Sequence, residues 1–251
     1  MLALGDGLVS WGEDSAIRFW DRQGNPLPAS ASNAHSRGLF GVLAVDDWLV
    51  SWGGDGMIRF WDRQGNPLPG DAIDAQSAHW IEGVLAVGDR LVSWGPYRAI
   101  SDGQVSWGPY GAISFWDGQG NPLPGGVPHA HSTWGVIGVL AAGDRLVSWG
   151  EDGAIRFWDR HGNPLPGGRR FAHYGRFSVL PVGDGLVSWG EDGAIRFWDR
   201  QGNPLPGGVP DAHSSPGGEV HSADISVTMM YAHGTANLAD SLGIRLRLGR
   251  V

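Results

Sequence analysis

With 251 residues the chain has the length of one large all-β domain or of two ordinary ones, and 42 Gly and 16 Pro suit many tight turns. A formal net charge of −8 argues against a general nucleic-acid binder, and the absence of cysteine excludes disulfides, thiol catalysis and cysteine-ligated zinc. The opening MLALGDGLVSW shows neither a basic leader nor a long apolar run, so no signal peptide or membrane span is expected and a soluble cytoplasmic protein is the default.

Read in order, the chain repeats itself. Trp11, Trp52, Trp94, Trp107, Trp149 and Trp189 mark starts at steps of 41, 42, 13, 42 and 40. A period of about 40 residues marks a repeat array, in which each unit buries its faces only against its neighbours. Because the repeats run almost end to end, one domain is favoured over two.

The first repeat opens directly on Leu2-Ala3-Leu4, an inner strand, and carries Ser10, Asp14 and Trp20 with no histidine before them. Ser15 stands where later repeats have a turn glycine, which should strain a left-handed position. The second, Gly41 to Gly70, is regular. The third contains a tandem duplication, VSWGPYRAIS at 92–101 and VSWGPYGAIS at 105–114, expected to form an additional hairpin or a bulged loop at the end of the unit. Gln76 occupies the place where other repeats have histidine, with His79 nearby.

The fourth and fifth repeats, Leu146 to Gly168 and Leu186 to Gly208, differ only at His161 and Gln201. Leu146–Trp149 and Ile155–Trp158 are apolar runs too short for helices, joined through Glu151-Asp152-Gly153, a hairpin signal. A three-residue loop with Gly153 at positive φ puts Ser148 on one face with Arg156 and Trp158, and Val147 and Trp149 on the other with Ile155 and Phe157. Both faces carry large apolar groups, so both need covering. Val139-Leu140-Ala141 adds an inner strand. Asn163-Pro164-Leu165-Pro166, with two residues lacking an N–H, belongs on the outer edge. The unit is therefore one four-stranded antiparallel blade. After His213 the pattern stops: Ser214 to Gly218 reads as a linker, Ile225–Tyr231 as a further strand and Ala236–Leu242 as a short helix, unless the tail is disordered.

LVSWGEDGAIRFWD resembles the signature of the WD40 family, with Trp158-Asp159 as its Trp-Asp pair and Asp152-Gly153 as its turn. The resemblance covers roughly residues 1–215 and implies an all-β fold, a β-propeller of about five four-stranded antiparallel blades, followed by the non-repeat tail 216–251. It also implies a hydrogen-bonded set of His, Ser, Asp and Trp that locks each hairpin. Those sets would be His35, Ser51, Asp55 and Trp61; His131, Ser148, Asp152 and Trp158; and His173, Ser188, Asp192 and Trp198. His213 is placed in sequence to complete Ser10, Asp14 and Trp20 across a closed ring of five. An open arc would instead expose apolar faces that invite self-association.

No catalytic constellation stands out. Gly-x-Ser-x-Gly and phosphate-cradling Gly-Lys loops are absent. His, Ser and Asp recur together, yet in register beside a Trp, as a lock requires rather than a hydrolase triad. His129 and His131 have no evident third metal ligand, and the Glu-Asp-Gly turn lacks calcium-loop spacing. No enzyme activity, cofactor or metal is expected. Glu13, Glu151 and Glu191 in equivalent turns should form an acidic rim, with Arg18, Arg59, Arg156 and Arg196 just inside it. In WD40-like propellers this face receives peptides or proteins, so an interaction scaffold is the leading function. A sugar-binding propeller that stacks exposed tryptophans is one rival, and a recently amplified repeat product without a selected ligand is another. Neither nucleic acid nor membrane is an expected partner.

Overall fold

The computed structural model describes residues 1–68, 80–101, 104–118, 120–131, 135–210 and 212. His213, Gln76, His79 and the tail fall outside them.

Five antiparallel sheets follow one another along the chain, each built from consecutive strands. Blade one holds β1 (Leu2–Leu4), β2 (Gly7–Trp11), β3 (Ile17–Trp20) and β4 (Pro26–Ala31). Blade two holds β5 (Leu39–Val45), β6 (Trp48–Gly53) and β7 (Ile58–Asp62). Blade three holds β8 (Gly83–Val87), β9 (Arg90–Ser101), β10 (Gln104–Asp117) and β11 (Val127–His131). Blade four holds β12 (Val136–Ala142), β13 (Arg145–Gly150) and β14 (Ile155–Asp159), and blade five β15 (Phe177–Val182), β16 (Gly185–Gly190) and β17 (Ile195–Trp198).

Blades one and three form sheets of four strands. In blades two, four and five the outer segment pairs, among the described residues, through isolated bridges such as Trp158↔Pro164 and Ile155↔Arg169. The prolines are the cause. Pro164 and Pro166 lack N–H groups, so only Leu165 N–H is left between them to reach Phe157 O, at 2.9 Å. The loop before this segment is held by Asp159, which accepts from His161 N–H at 2.7 Å, Asn163 N–H at 2.9 Å and the Asn163 side chain at 2.8 Å. Equivalent clasps form at Asp21, Asp62 and Asp199.

Within the hairpins of blades one, two, four and five the register follows the odd loop. Ser148 pairs with Arg156 and Trp149 with Ile155, and Gly153 takes φ +71°. Ser15, in the glycine's place in blade one, is forced to φ +60°.

The duplication in blade three lengthens one hairpin rather than adding a second. Ser93 pairs with Ser114 and Trp94 with Ile113, while Ser101 pairs with Gln104 near the tip. A register shift between Trp107 and Tyr110 absorbs the odd insertion. The base of the hairpin thus joins the first copy's Ser93 to the second copy's Trp116, with Trp116 Nε1 donating to Ser93 Oγ at 2.9 Å. Deleting residues 95–107 restores the ten-residue Ser-to-Trp spacing of the other blades. The deletion variant is expected to fold with stability within about 1 kcal/mol of the parent, because a hairpin extension contributes little to the body. Denaturant melts check this, and a larger loss would mean that the extension packs against other blades.

Four apolar clusters hold neighbouring blades together. They join blade one to two around Val9, Ile17 and Leu49, and two to three around Val50, Phe60 and Leu91. They join three to four around Val92, Phe115 and Leu146, and four to five around Val147, Phe157 and Leu186. Among the described residues no such cluster joins blade five to blade one.

Candidate functional site

In blade four, Trp158 Nε1 donates to Ser148 Oγ at 2.8 Å, and Ser148 Oγ lies 2.8 Å from His131 Nε2. His131 Nδ1 in turn lies 2.8 Å from Asp152 Oδ1. One proton arrangement satisfies the chain: indole N–H to Ser oxygen, Ser O–H to Nε2, and Nδ1–H to the carboxylate. His35, Ser51, Asp55 and Trp61 repeat these contacts at 2.8 Å throughout. His173, Ser188, Asp192 and Trp198 do so at 2.7–2.8 Å.

Each histidine comes from the link that leaves the preceding blade. His131 ends β11 of blade three yet bonds to residues of β13 and the turn of blade four. His173 follows Arg169, which bridges to β14 of blade four, and locks blade five. The set is therefore a staple between blades as well as a hairpin lock. Space for it depends on glycine. A Cβ at Gly150 would collide with the His131 ring, and one at Gly153 with His173 O.

Enclosure withdraws the three imidazoles from water and holds them below their ordinary value of 6.5, although Asp55, Asp152 and Asp192 pull the other way. Burial by itself would raise Asp55 and Asp192. Hydrogen bonds from His35, Ser36 N–H and Arg59, and from His173, Ala194 N–H and Arg196, outweigh it and hold both below the usual carboxylate range.

Blade one is different. Trp20 donates to Ser10 at 2.8 Å, and Asp14 pairs with Arg18 at 2.6 Å. The proposed fourth member, His213, lies outside the described residues.

Removing an indole N–H separates locking from packing. Trp158 is bonded, whereas the equally buried Trp149 Nε1 meets no acceptor among the described residues. Both Trp→Phe changes remove the same volume. Trp158→Phe is therefore expected to destabilise by about 1–3 kcal/mol more than Trp149→Phe in denaturant melts, because only it takes a hydrogen-bond donor from the buried Ser148 oxygen. Equal losses would mean that the indole bond adds nothing.

The rim arginines do not pair with the turn glutamates. Arg59, Arg156 and Arg196 bond to Asp55, Asp152 and Asp192 four residues earlier, each at 2.8 Å, and Arg18 to Asp14. They brace the locks, because the carboxylate lies closer along the hairpin than the glutamate does. Glu13 and Glu191 stay exposed and Glu151 is half-buried.

Sequence reasoning missed the groups that project most. Phe171 and Tyr174 are 74% and 78% exposed, on either side of buried His173. Their link is pinned: Ala172 N–H and His173 N–H reach Gly153 O at 2.7 and 3.3 Å, and Tyr174 N–H reaches Asp192 Oδ2 at 3.4 Å. Next to it Arg176 contacts Glu151 at 3.3 Å and lies 4.0 Å from Glu82, while its N–H meets Glu191 at 3.2 Å. Burial pushes the Glu82 carboxyl up, against the pull of Arg176. The signal was available, since the links are where otherwise near-identical repeats diverge. His129 is exposed on β11 while His131 is enclosed, and the tryptophans whose side chains are described are buried or half-buried.

Five consecutive antiparallel sheets of three or four strands, packed face on face and stapled by a recurring buried lock, define a β-propeller of five blades. Solved structures bear this out. The crystal structure of the computationally designed Ika8 protein is similar, with a TM-score of 0.60 and 21% identity over 83% of this chain and 60% of that one. BamB from Moraxella catarrhalis is similar with a TM-score of 0.58 and 16% identity, covering 83% of this chain and 59% of BamB. The chain thus spans about three-fifths of the length of these propellers. No protein-family model and no curated protein matches it.

Proposed function

We propose that the chain is a WD40-type propeller that works as a non-enzymatic interaction module for a protein or peptide. The observation that carries this reading is the pair Phe171 and Tyr174, exposed at 74% and 78% on a link that His173 fixes from beneath. Exposed aromatic groups on a backbone pinned by hydrogen bonds are the composition that interface centres favour, because little backbone entropy is lost when they are covered. A non-enzymatic role is supported by the state of the His–Ser–Asp sets that recur among the described residues. Ser51, Ser148 and Ser188 are 0% exposed, closed to any substrate. A sugar-stacking site would instead need open indoles in equivalent places.

The test compares proteins retained from lysate by the parent and by a Phe171→Ala, Tyr174→Ala double variant, with a glycan array in parallel. A partner held by the parent and lost by the variant, at unchanged melting temperature, supports the proposal. Equal retention by both proteins, or glycan binding that survives the change, contradicts it.

A further inference from the structure

Blades four and five carry the same residues with different fates. Val147, Trp149, Ile155 and Phe157 of blade four are 0, 6, 2 and 3% exposed, because Val179, Leu186 and Trp198 of blade five lie against them. The identical Val187, Trp189, Ile195 and Phe197 of blade five are only half-buried, and Val182 beside them is 46% exposed. At the other end of the arc, Leu8, Ser10 and Trp20 of blade one are half-buried, whereas the matching Leu49, Ser51 and Trp61 are 0, 0 and 6% exposed.

We propose that the face of blade five left uncovered among the described residues receives blade one of a second copy of this chain. The fit is shown inside the molecule. At every described junction, a Val/Trp/Ile/Phe-type face is covered by the Leu/Trp-type face of the following blade. Among the described residues, blade one offers the uncovered face of that second kind. One chain therefore carries both halves of the contact at opposite ends. Such a contact is head-to-tail: it builds a ring if the rotation closes and a filament if it does not. Leaving both faces in water would keep apolar surface exposed that the same sequence buries elsewhere. One junction also carries a polar contact. At the junction of blades four and five, Arg200 donates to Asp144 at 3.0 Å. The corresponding residues at the free ends are Asp184, which is exposed, and Arg22, now beside Asp6.

Sedimentation of the full chain with two single substitutions tests this. Parent protein is expected to exceed the mass of one chain and to grow heavier with concentration. V187E and L8E should each run as a folded single chain by sedimentation and circular dichroism. Mixed in equal amounts they should form a two-chain species and nothing larger, because each retains one intact end. Should either glutamate variant fail to fold, the exposed reversal D184R gives the second test: it should weaken association, and R22D in the other copy should restore it. A monomeric parent overturns the proposal, as does self-association of L8E or V187E alone, which would mean that like faces pair. A mixture that stays monomeric overturns it too.

Discussion

Replacing His131 by alanine is expected to destabilise the protein by about 3–5 kcal/mol, the largest loss for any single side chain of the locks. The imidazole is fully enclosed and touches three groups at once: Ser148 Oγ, Asp152 Oδ1 and the guanidinium of Arg156. Its removal leaves the Ser148 hydroxyl without its acceptor and takes one hydrogen bond from a carboxylate that is 7% exposed. It also opens a cavity between the outer strand of blade three and the hairpin of blade four. Since the histidine belongs to one blade and its partners to the next, the loss should loosen the junction and broaden the unfolding transition. His129→Ala, two residues away and exposed, serves as the control. Equal denaturant midpoints for the two variants would contradict the staple.

Lowering the pH from 7 is expected to destabilise the fold well before its carboxylates titrate. His35, His131 and His173 are kept neutral below their ordinary 6.5, whereas in the unfolded chain they titrate near that value. The unfolded state therefore binds more protons across the window that runs downward from about pH 6.5 to the folded-state values. Stability falls with pH throughout that window and levels off below it. Each histidine contributes a slope of up to about 1.4 kcal/mol per pH unit, so the three together give roughly 4 at most. A second loss follows at lower pH. Asp55 and Asp192 are held below the usual range, so their contribution is present above the unfolded carboxylate value and lost as pH drops from there through the lower folded-state values. Denaturant melts at a series of pH values check the first window, and a midpoint that stays flat between pH 6.5 and 5 contradicts it.

The blades themselves were legible because the chain states the same unit several times, and each copy tests the reading of the others. The face assignment of Ser148 and Trp158 followed from loop parity alone, since an odd loop permits one arrangement. What the sequence left open has physical causes. Pro164 and Pro166 signalled an edge but not that so few backbone bonds would survive there. Arg156 was read as part of a rim, because its spacing from Asp152 becomes a pairing distance only once the hairpin is closed. His131 was assigned to the blade it locks, whereas its backbone belongs to the blade before. The burial difference between blades four and five was beyond sequence: Val147 and Val187 sit in identical surroundings along the chain, and among the described residues only Val147 has a following blade packed against it.

The state of the three enclosed histidines tests the account most directly. Nitrogen-15 NMR of the ring atoms distinguishes the tautomers and follows their titration in the folded protein. His35, His131 and His173 are predicted to carry the proton on Nδ1, to present a bare Nε2 to serine, and to stay neutral below pH 6.5. Three rings that titrate near 6.5 as a mixture of tautomers would contradict it, for they could not be the buried staples between blades.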